Sequence, residues 1–350
     1  EVQDSRVGRI EGRGQKRHYD EGLFDISDLP EYAPEAKITG TIRLWGSNYI
    51  ETGQLSKYWE EGFRKHHPDV KFEYYLPTSL VGIPGLYLGS ADIVPSRTIT
   101  FDENLAFQRV KGYQPTGISV VTGSYNVPGW APALGIFVHK DNPIEKLTFE
   151  QLDGIFGAER TGAFDESFSW RPDLARGADK NIRDWGQLGL SGDWKGKSIT
   201  PYGLTLRYHQ HSRIEKRIFN GSSKWNERLR EYAHYVGPDG KVSVSNARLL
   251  DDLSNDKYGI GYSNLGYIMP HHNLKLVKIA VDEDSGYHEM DIQAVRSRSY
   301  PLYGESMFYV DKAPGKALDP KVREYVRYVL SRNGQGDVVR DGKYLPLTLA

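Results

Sequence analysis

With 350 residues the chain is long enough for two domains, and its 45 basic against 46 acidic side chains leave a formal charge of −1. Near-neutrality removes any long-range pull toward nucleic acid or anionic membrane, so a charge-based function has to be local. The absence of cysteine excludes disulfides, cysteine-ligated zinc and thiol nucleophiles, and no apolar run approaches the ~20 residues of a membrane span.

Residues 1–38 are polar, charged and glycine-containing, with Pro30 and Pro34 near the end, and read as an arm or linker on the surface of the main body. Glu1-Val2-Gln3 lacks the basic start and apolar stretch of a secretory leader, so an exported chain is expected in its mature form. Ile10-Glu11-Gly12-Arg13 matches a protease recognition tag. Residues 41–45 then open the fold as a strand, Gly46-Ser47-Asn48 turns, and Leu55, Tyr58, Trp59 and Phe63 recur at helical spacing. The alternation over 70–74 predicts a second strand. A Gly/Pro-rich helical stretch follows over 78–89, then a strand at 91–94, a helix at 101–110 and a strand at 117–122. Strand and helix in strict alternation predict a largely parallel, doubly wound sheet.

Past Pro128-Gly129-Trp130-Ala131-Pro132 a new strand is expected at 134–138 and a helix at 147–155. The polar stretch 157–180 reads as an exposed loop insertion. Ile199-Thr200 reads as the end of a strand, with helices at 206–219, 227–235 and 247–253 and strands at 259–262 and 274–280. Tyr300-Pro301-Leu302 leads into a strand at 307–310. The last helix, 320–330, carries Val322, Tyr325, Val326 and Val329 on one face.

The most informative stretch is Ala91-Asp92-Ile93-Val94-Pro95-Ser96-Arg97, where a β-branched strand runs into a hydroxyl and a guanidinium just ahead of a helix. Ligands of open α/β sheets lie beyond the carboxyl ends of strands, and helix starts there present N–H groups to anions. Around it stand Trp45-Gly46-Ser47-Asn48, Val138-His139-Lys140-Asp141-Asn142-Pro143-Ile144 with Leu147-Thr148-Phe149-Glu150-Gln151-Leu152, Trp185-Gly186-Gln187-Leu188-Gly189-Leu190-Ser191-Gly192, Gly259-Ile260-Gly261-Tyr262, Tyr300-Pro301-Leu302 and residues 328–335. In this order the blocks resemble the phosphate-binding solute receptors of bacterial ABC importers, the PstS-like family of periplasmic binding proteins.

The resemblance implies an α/β, two-lobed periplasmic-binding-protein fold of type II-like form, two doubly wound sheets joined by two crossing strands. Lobe one is then expected at 39–130 plus 300–350 and lobe two at 131–299, with ligand captured between the lobes as they close. It implies a monomeric, periplasmic or otherwise exported receptor that passes phosphate or a related small oxyanion to a membrane importer. Family anion contacts carried over by position fall on Ser47-Asn48, on Thr78-Ser79, on Ser96-Arg97 and after Tyr202-Gly203. The last place departs from the family. Leu204 stands at the arginine position and Tyr208-His209-Gln210 at the Ser-Gly-Thr step, so that Arg207, His209 or Ser212 is left to substitute, with Tyr208 beside them. A site rebuilt for a larger planar or polyanionic metabolite is the alternative, and a phosphoryl-handling enzyme the more distant one.

Each of these residues also has a structural reading. Ser47 and Ser79 are favoured as helix caps wherever they occur. Arg97 has Asp102 or Glu103 to pair with, Asp92 suits an acceptor for nearby backbone N–H groups, and Trp130 suits packing at the lobe crossing or stacking on a planar ligand. The adjacent pairs His66-His67 and His271-His272 point to different sides of any regular element, so no metal site is expected. Neither a nucleotide-type phosphate loop nor a Gly-x-Ser-x-Gly elbow is present, and neither a cofactor nor catalysis is expected.

Overall fold

A computed structural model describes residues 17–165, 167–206, 208 and 210–349; the 10–13 motif, Arg207 and His209 lie outside the described residues. The chain forms two compact units, one holding everything up to Pro132 and again from Tyr303, the other Ala133–Leu302. In chain order the first unit carries β1 (Gly40–Trp45), α1 (Leu55–Arg64), β2 (Val70–Tyr75), α2 (Gly82–Tyr87), β3 (Val94–Ser96), α3 (Phe101–Lys111) and β4 (Thr116–Val121). The second unit carries β5 (Leu134–His139), α4 (Phe149–Phe156), β6 (Thr200–Leu204), α5 (Gln210–Arg217), β7 (Arg230–Tyr232), α6 (Ser245–Leu253), β8 (Gly259–Asn264) and β9 (Leu274–Leu276). The chain then returns to the first unit as β10 (Ser306–Val310), α7 (Pro320–Leu330) and α8 (Arg332–Asp341).

In the first unit β1 and β2 pair in parallel from Gly40↔Val70 to Trp45↔Tyr75, and Ile93, just ahead of β3, bridges Leu44 in the same sense. Alternation puts Ile42 and Leu44 inside, and the helical spacing of α1 buries Leu55, Trp59 and Phe63. The sheet is mixed rather than largely parallel. Ser306 pairs with Val121, so β10 starts where β4 ends and must run antiparallel to it, as it also does to β3 on its other edge.

The described part of the N-terminal arm is anchored, with Tyr19, Phe24, Leu29, Tyr32 and Ile38 buried in the first unit. At its centre the Tyr32 hydroxyl donates to Glu324 Oε2 at 2.7 Å and lies 2.7 Å from His67 Nε2, while Ile38 N–H reaches His67 Nδ1 at 3.4 Å. Accepting at Nδ1 leaves the proton of a neutral ring on Nε2, where it is given to Tyr32. Burial holds His67 below the usual histidine range, with the Glu324 charge opposing it more weakly. A histidine neutral in the fold but protonated when unfolded removes stability as pH falls below about 6.5. Melting curves between pH 7.5 and 5.5 should therefore show a loss on acidification that His67→Gln reduces; parallel curves for both proteins would contradict this.

The second unit holds a five-stranded sheet in the order β7-β6-β8-β5-β9, in which β7, β6 and β8 are parallel and β5 opposes both its neighbours. Three sequence expectations are corrected here. Residues 199–200 begin a strand instead of ending one, because Thr200–Tyr202 pair along β8 and Tyr202–Leu204 continue along β7. The helix expected at 227–235 gives way to β7, since Tyr232 buries its ring beside Tyr202 only in extended pairing with β6. The strand expected at 274–280 splits at Val277, its second half, Lys278–Ala280, pairing in parallel with Lys146–Thr148.

The 157–180 stretch is not simply an exposed loop. Arg160 grips the Asp153 carboxylate of α4 through both terminal nitrogens, at 3.0 and 2.7 Å, and Arg176 Nε lies 3.2 Å from the same group. All three are less than a tenth exposed. Backbone bonds of 2.9 Å in both directions between Arg160 and Arg176 close the neck of the insertion.

Candidate anion-binding site

In the first unit, backbone bonds tie the carboxyl ends of three strands into one edge. Trp45 N–H reaches Ile93 O at 3.2 Å, Gly46 N–H reaches Tyr75 O at 3.0 Å, and Ser47 N–H reaches Pro95 O at 2.8 Å. Gly46 sits at φ +154°, and a Cβ there would lie 2.2 Å from Pro95 O, so only glycine permits this approach. Gly82 plays the corresponding part for α2: a Cβ would meet Val94 Cγ1 at 2.2 Å and Trp45 O at 3.1 Å. The start of α2 therefore rests on the ends of β1 and β3. The result is that Ser47, Asn48, Thr78, Ser79, Ser96 and Arg97 all belong to the same strand-end edge.

Their local roles differ. Ser47 Oγ accepts only a long 3.4 Å bond from Tyr49 N–H, and the Asn48 carbonyl closes the single helical turn Tyr49–Thr52. Thr78 Oγ1 accepts from Leu80 N–H at 3.5 Å, which is the capping role serine and threonine take at helix starts, and Ser79 opens the turn Ser79–Val81 that leads into α2. Ser96 is 1% exposed and its hydroxyl has no hydrogen-bond partner among the described residues. Leaving such a group unsatisfied costs about 1–3 kcal/mol, so an acceptor or donor from a ligand or water is the expected complement.

Arg97 is already engaged. Its Nη1 and Nη2 donate to Glu103 at 2.7 and 3.2 Å, and Nη1 also reaches Thr98 O at 3.1 Å. Glu103, not Asp102, is the partner, because Glu103 is fixed by the Thr100 capping box at the start of α3. Nε remains buried without a partner among the described residues. The guanidinium thus braces the loop behind Ser96, its charge neutralised by one carboxylate. Asp92 receives Arg43 N–H at 2.9 Å and the Arg43 side chain at 2.8 Å. Burial alone would raise the Asp92 carboxyl, but these bonds and the Lys321 charge outweigh it and hold it below the usual range.

Trp130 is fully buried in the first unit against Tyr49, ring centres 5.1 Å apart, so it packs the fold and is not a stacking surface for ligand. Beside the strand-end edge lies a groove of about 420 Å³ lined by Trp45, Tyr75, Leu80, Val81, Pro84, Gly85 and Leu88. The sequence signal for it is Leu80, Pro84 and Leu88 at spacings of four, a helical stripe that the core does not absorb.

In the second unit Leu204 is a core residue, its N–H donating to the Tyr262 hydroxyl at 3.2 Å. The Tyr208 hydroxyl accepts from His234 N–H at 2.8 Å and its ring lies 5.1 Å from the His234 ring, so Tyr208 is held by the neighbouring strand connection. Ser212 falls on α5. The next turn of that helix carries Glu215, which accepts Trp225 Nε1–H at 2.7 Å and stands 3.7 Å from His211 Nε2. Burial pushes the Glu215 carboxyl up to about 7, against the lowering effect of the Trp225 bond. Among the described residues no group of three or more His, Cys, Asp or Glu side chains is placed to hold a metal ion, and no helix is long and apolar enough to cross a membrane.

The comparisons with known proteins agree with this architecture. A family model described as a PBP superfamily domain matches residues 32–333. The phosphate-binding protein PstS of Pseudomonas aeruginosa is 31% identical over 325 residues, covering 91% of this chain and 87% of the relative. Among solved structures, PstS from Borrelia burgdorferi aligns with a TM-score of 0.53 at 17% identity over 88% of this chain and 99% of its own. An ABC-type phosphate transport receptor from Vibrio cholerae aligns with a TM-score of 0.51 at 17% identity over 87% of this chain and 99% of its own. These structures share the α/β periplasmic-binding-protein fold expected from the sequence. Matched along most of its length by both a family model and a curated relative, the chain belongs to the PBP superfamily and, within it, to the PstS family.

Proposed function

We propose that this protein is an extracytoplasmic solute-binding receptor that captures phosphate, or a closely related small oxyanion, and delivers it to a membrane ABC importer. The observation that carries the reading is the buried Ser96 hydroxyl, without a partner among the described residues, at the edge where three strand ends and the start of α2 converge. Hydroxyls and backbone N–H groups at such an edge suit an oxyanion withdrawn from water, which needs most of its acceptor sites filled. The name of the Pseudomonas relative supports phosphate as the ligand. Ser47, Asn48, Thr78, Ser79 and Ser96 are the proposed donors, with Arg97 bracing them; from the sequence alone, Arg207, Tyr208 and His209 remain proposed for the second unit. The receptor is proposed to act as an exported monomer without cofactor, nucleic acid or turnover.

Isothermal titration with inorganic phosphate tests the reading. Ser96→Ala should weaken binding by about 1.5–3 kcal/mol, roughly 10- to 150-fold, while leaving the ligand-free protein as stable as before or slightly more so, because an unsatisfied hydroxyl is removed. Equal affinities for wild type and variant would refute the role of Ser96. With phosphate at 100 times its dissociation constant, wild-type protein should gain about 2.7 kcal/mol of stability. Release of phosphate from phosphomonoesters by purified protein would favour an enzyme instead. A second reading, a bulkier anion, is favoured by one observation: Leu204 is buried in the sheet at the position where the family's arginine is expected.

A further inference from the structure

The groove beside the strand-end edge is chemically distinct from it. Trp45 and Tyr75 meet at 4.7 Å between ring centres to form its aromatic wall, and Leu80, Val81, Pro84 and Leu88 complete the lining, with no charged side chain among them. Tyr75, Leu80 and Leu88 are 49%, 63% and 70% exposed. These exposed apolar side chains are contiguous around one groove, and it is contiguity, not single exposure, that marks a binding surface.

The groove and the anion edge are built from the same turns. Trp45 is followed by Gly46-Ser47, whose N–H groups bind Tyr75 O and Pro95 O. Leu80 and Val81 directly follow Thr78 and Ser79 in the turn that enters α2, and Gly85 of α2 is pressed against the Trp45 ring, where a Cβ would come within 2.6 Å. An anion held at Ser47, Ser79 and Ser96 therefore stands next to an apolar wall rather than next to solvent alone. At about 420 Å³ the groove falls within the size range of small-molecule pockets.

Building on the oxyanion reading above, we propose that the ligand class extends to monosubstituted phosphoryl or phosphonyl anions. Their charged head occupies the strand-end donors and their flat or branched apolar substituent lies in the Trp45–Tyr75–Leu80–Leu88 groove. Inorganic phosphate satisfies the head alone; a phenyl-sized substituent also removes apolar surface from water on both sides, enough for roughly tenfold tighter binding or more. No bond is made or broken.

Isothermal titration with inorganic phosphate and with phenylphosphonate distinguishes the parts. Wild-type protein is expected to bind both, phenylphosphonate at least tenfold more tightly. Tyr75→Ala and Leu80→Ala, both at exposed positions, should bring phenylphosphonate to within about twofold of phosphate while leaving phosphate affinity unchanged. Phosphate binding with no phenylphosphonate binding, or equal losses for both ligands in the variants, would overturn the groove proposal and leave the oxyanion reading intact. Binding of neither anion would overturn the oxyanion reading, and the groove proposal with it. A concentration-dependent dimer of wild type that Leu80→Ala abolishes would assign the groove to a second copy of the chain and overturn the ligand proposal.

Discussion

Replacing Gly46 with alanine should abolish measurable anion binding and cost about 2–4 kcal/mol of stability. Two independent effects act at this position. A Cβ would stand 2.2 Å from Pro95 O, and the backbone holds φ +154°, a conformation L side chains rarely adopt. Relieving either strain means moving Gly46-Ser47 away from Pro95, which breaks the 2.8 Å bond from Ser47 N–H and takes Ser47 from the edge it shares with Ser96. Binding and folding should therefore fail together. Gly89→Ala is the control. Gly89 also has positive φ, +75°, but nothing lies within 4 Å of the added carbon. Its cost should stay near 1 kcal/mol with phosphate affinity unchanged. Phosphate titration and thermal melting of the two variants measure the contrast; similar behaviour of both would show that the close approach at Pro95 is dispensable.

The second large effect is expected far from the anion edge. Asp153→Ala should destabilise the second unit by about 3–5 kcal/mol, because it strands Arg160 and Arg176, both under a tenth exposed, without the carboxylate that they share. Two buried cations facing each other cannot be rehydrated without opening the neck of the insertion, where their backbones exchange two 2.9 Å bonds. For a unit of this size the loss corresponds to a fall in melting temperature on the order of 10 °C. The double variant Asp153→Ala/Arg160→Met should recover part of it, since removing one stranded charge with its partner is far cheaper than removing the partner alone. A single variant that melts with wild type would mean the insertion is held by other contacts.

Much of the fold could be read along the chain because its signals are local. The helical spacing of Leu55, Trp59 and Phe63, the alternation around Ile42 and Leu44, and the stripe of Val322, Tyr325, Val326 and Val329 each report one face of one element. The family blocks depend in the same way on short runs such as Gly46-Ser47-Asn48 and Ser96-Arg97, and the hydroxyl-bearing turns were legible for that reason. What failed were the stretches whose conformation is decided by a partner distant in sequence. Residues 230–232 carry no strand pattern of their own and become β7 because Tyr202–Leu204 offers an open edge. The direction of β10 follows from where β4 ends, a fact of chain return that spacing does not encode.

The same division runs through the site. The residue types at the strand ends were set by sequence, as was Leu204 where the resemblance leads one to expect an arginine. Which of those residues is satisfied was decided only in three dimensions. Arg97 spends its terminal N–H groups on Glu103, because the capping box of α3 brings that carboxylate within 2.7 Å. Ser96 keeps a buried hydroxyl without a partner among the described residues, while the neighbouring Ser306 hydroxyl bonds to the Ser96 carbonyl. Sequence determines which donors and acceptors exist and roughly where along each element they fall. Whether each one ends paired, buried or open to a ligand depends on groups as near as Glu103 is to Arg97 and as distant as Ser306 is from Ser96, and packing selects among them.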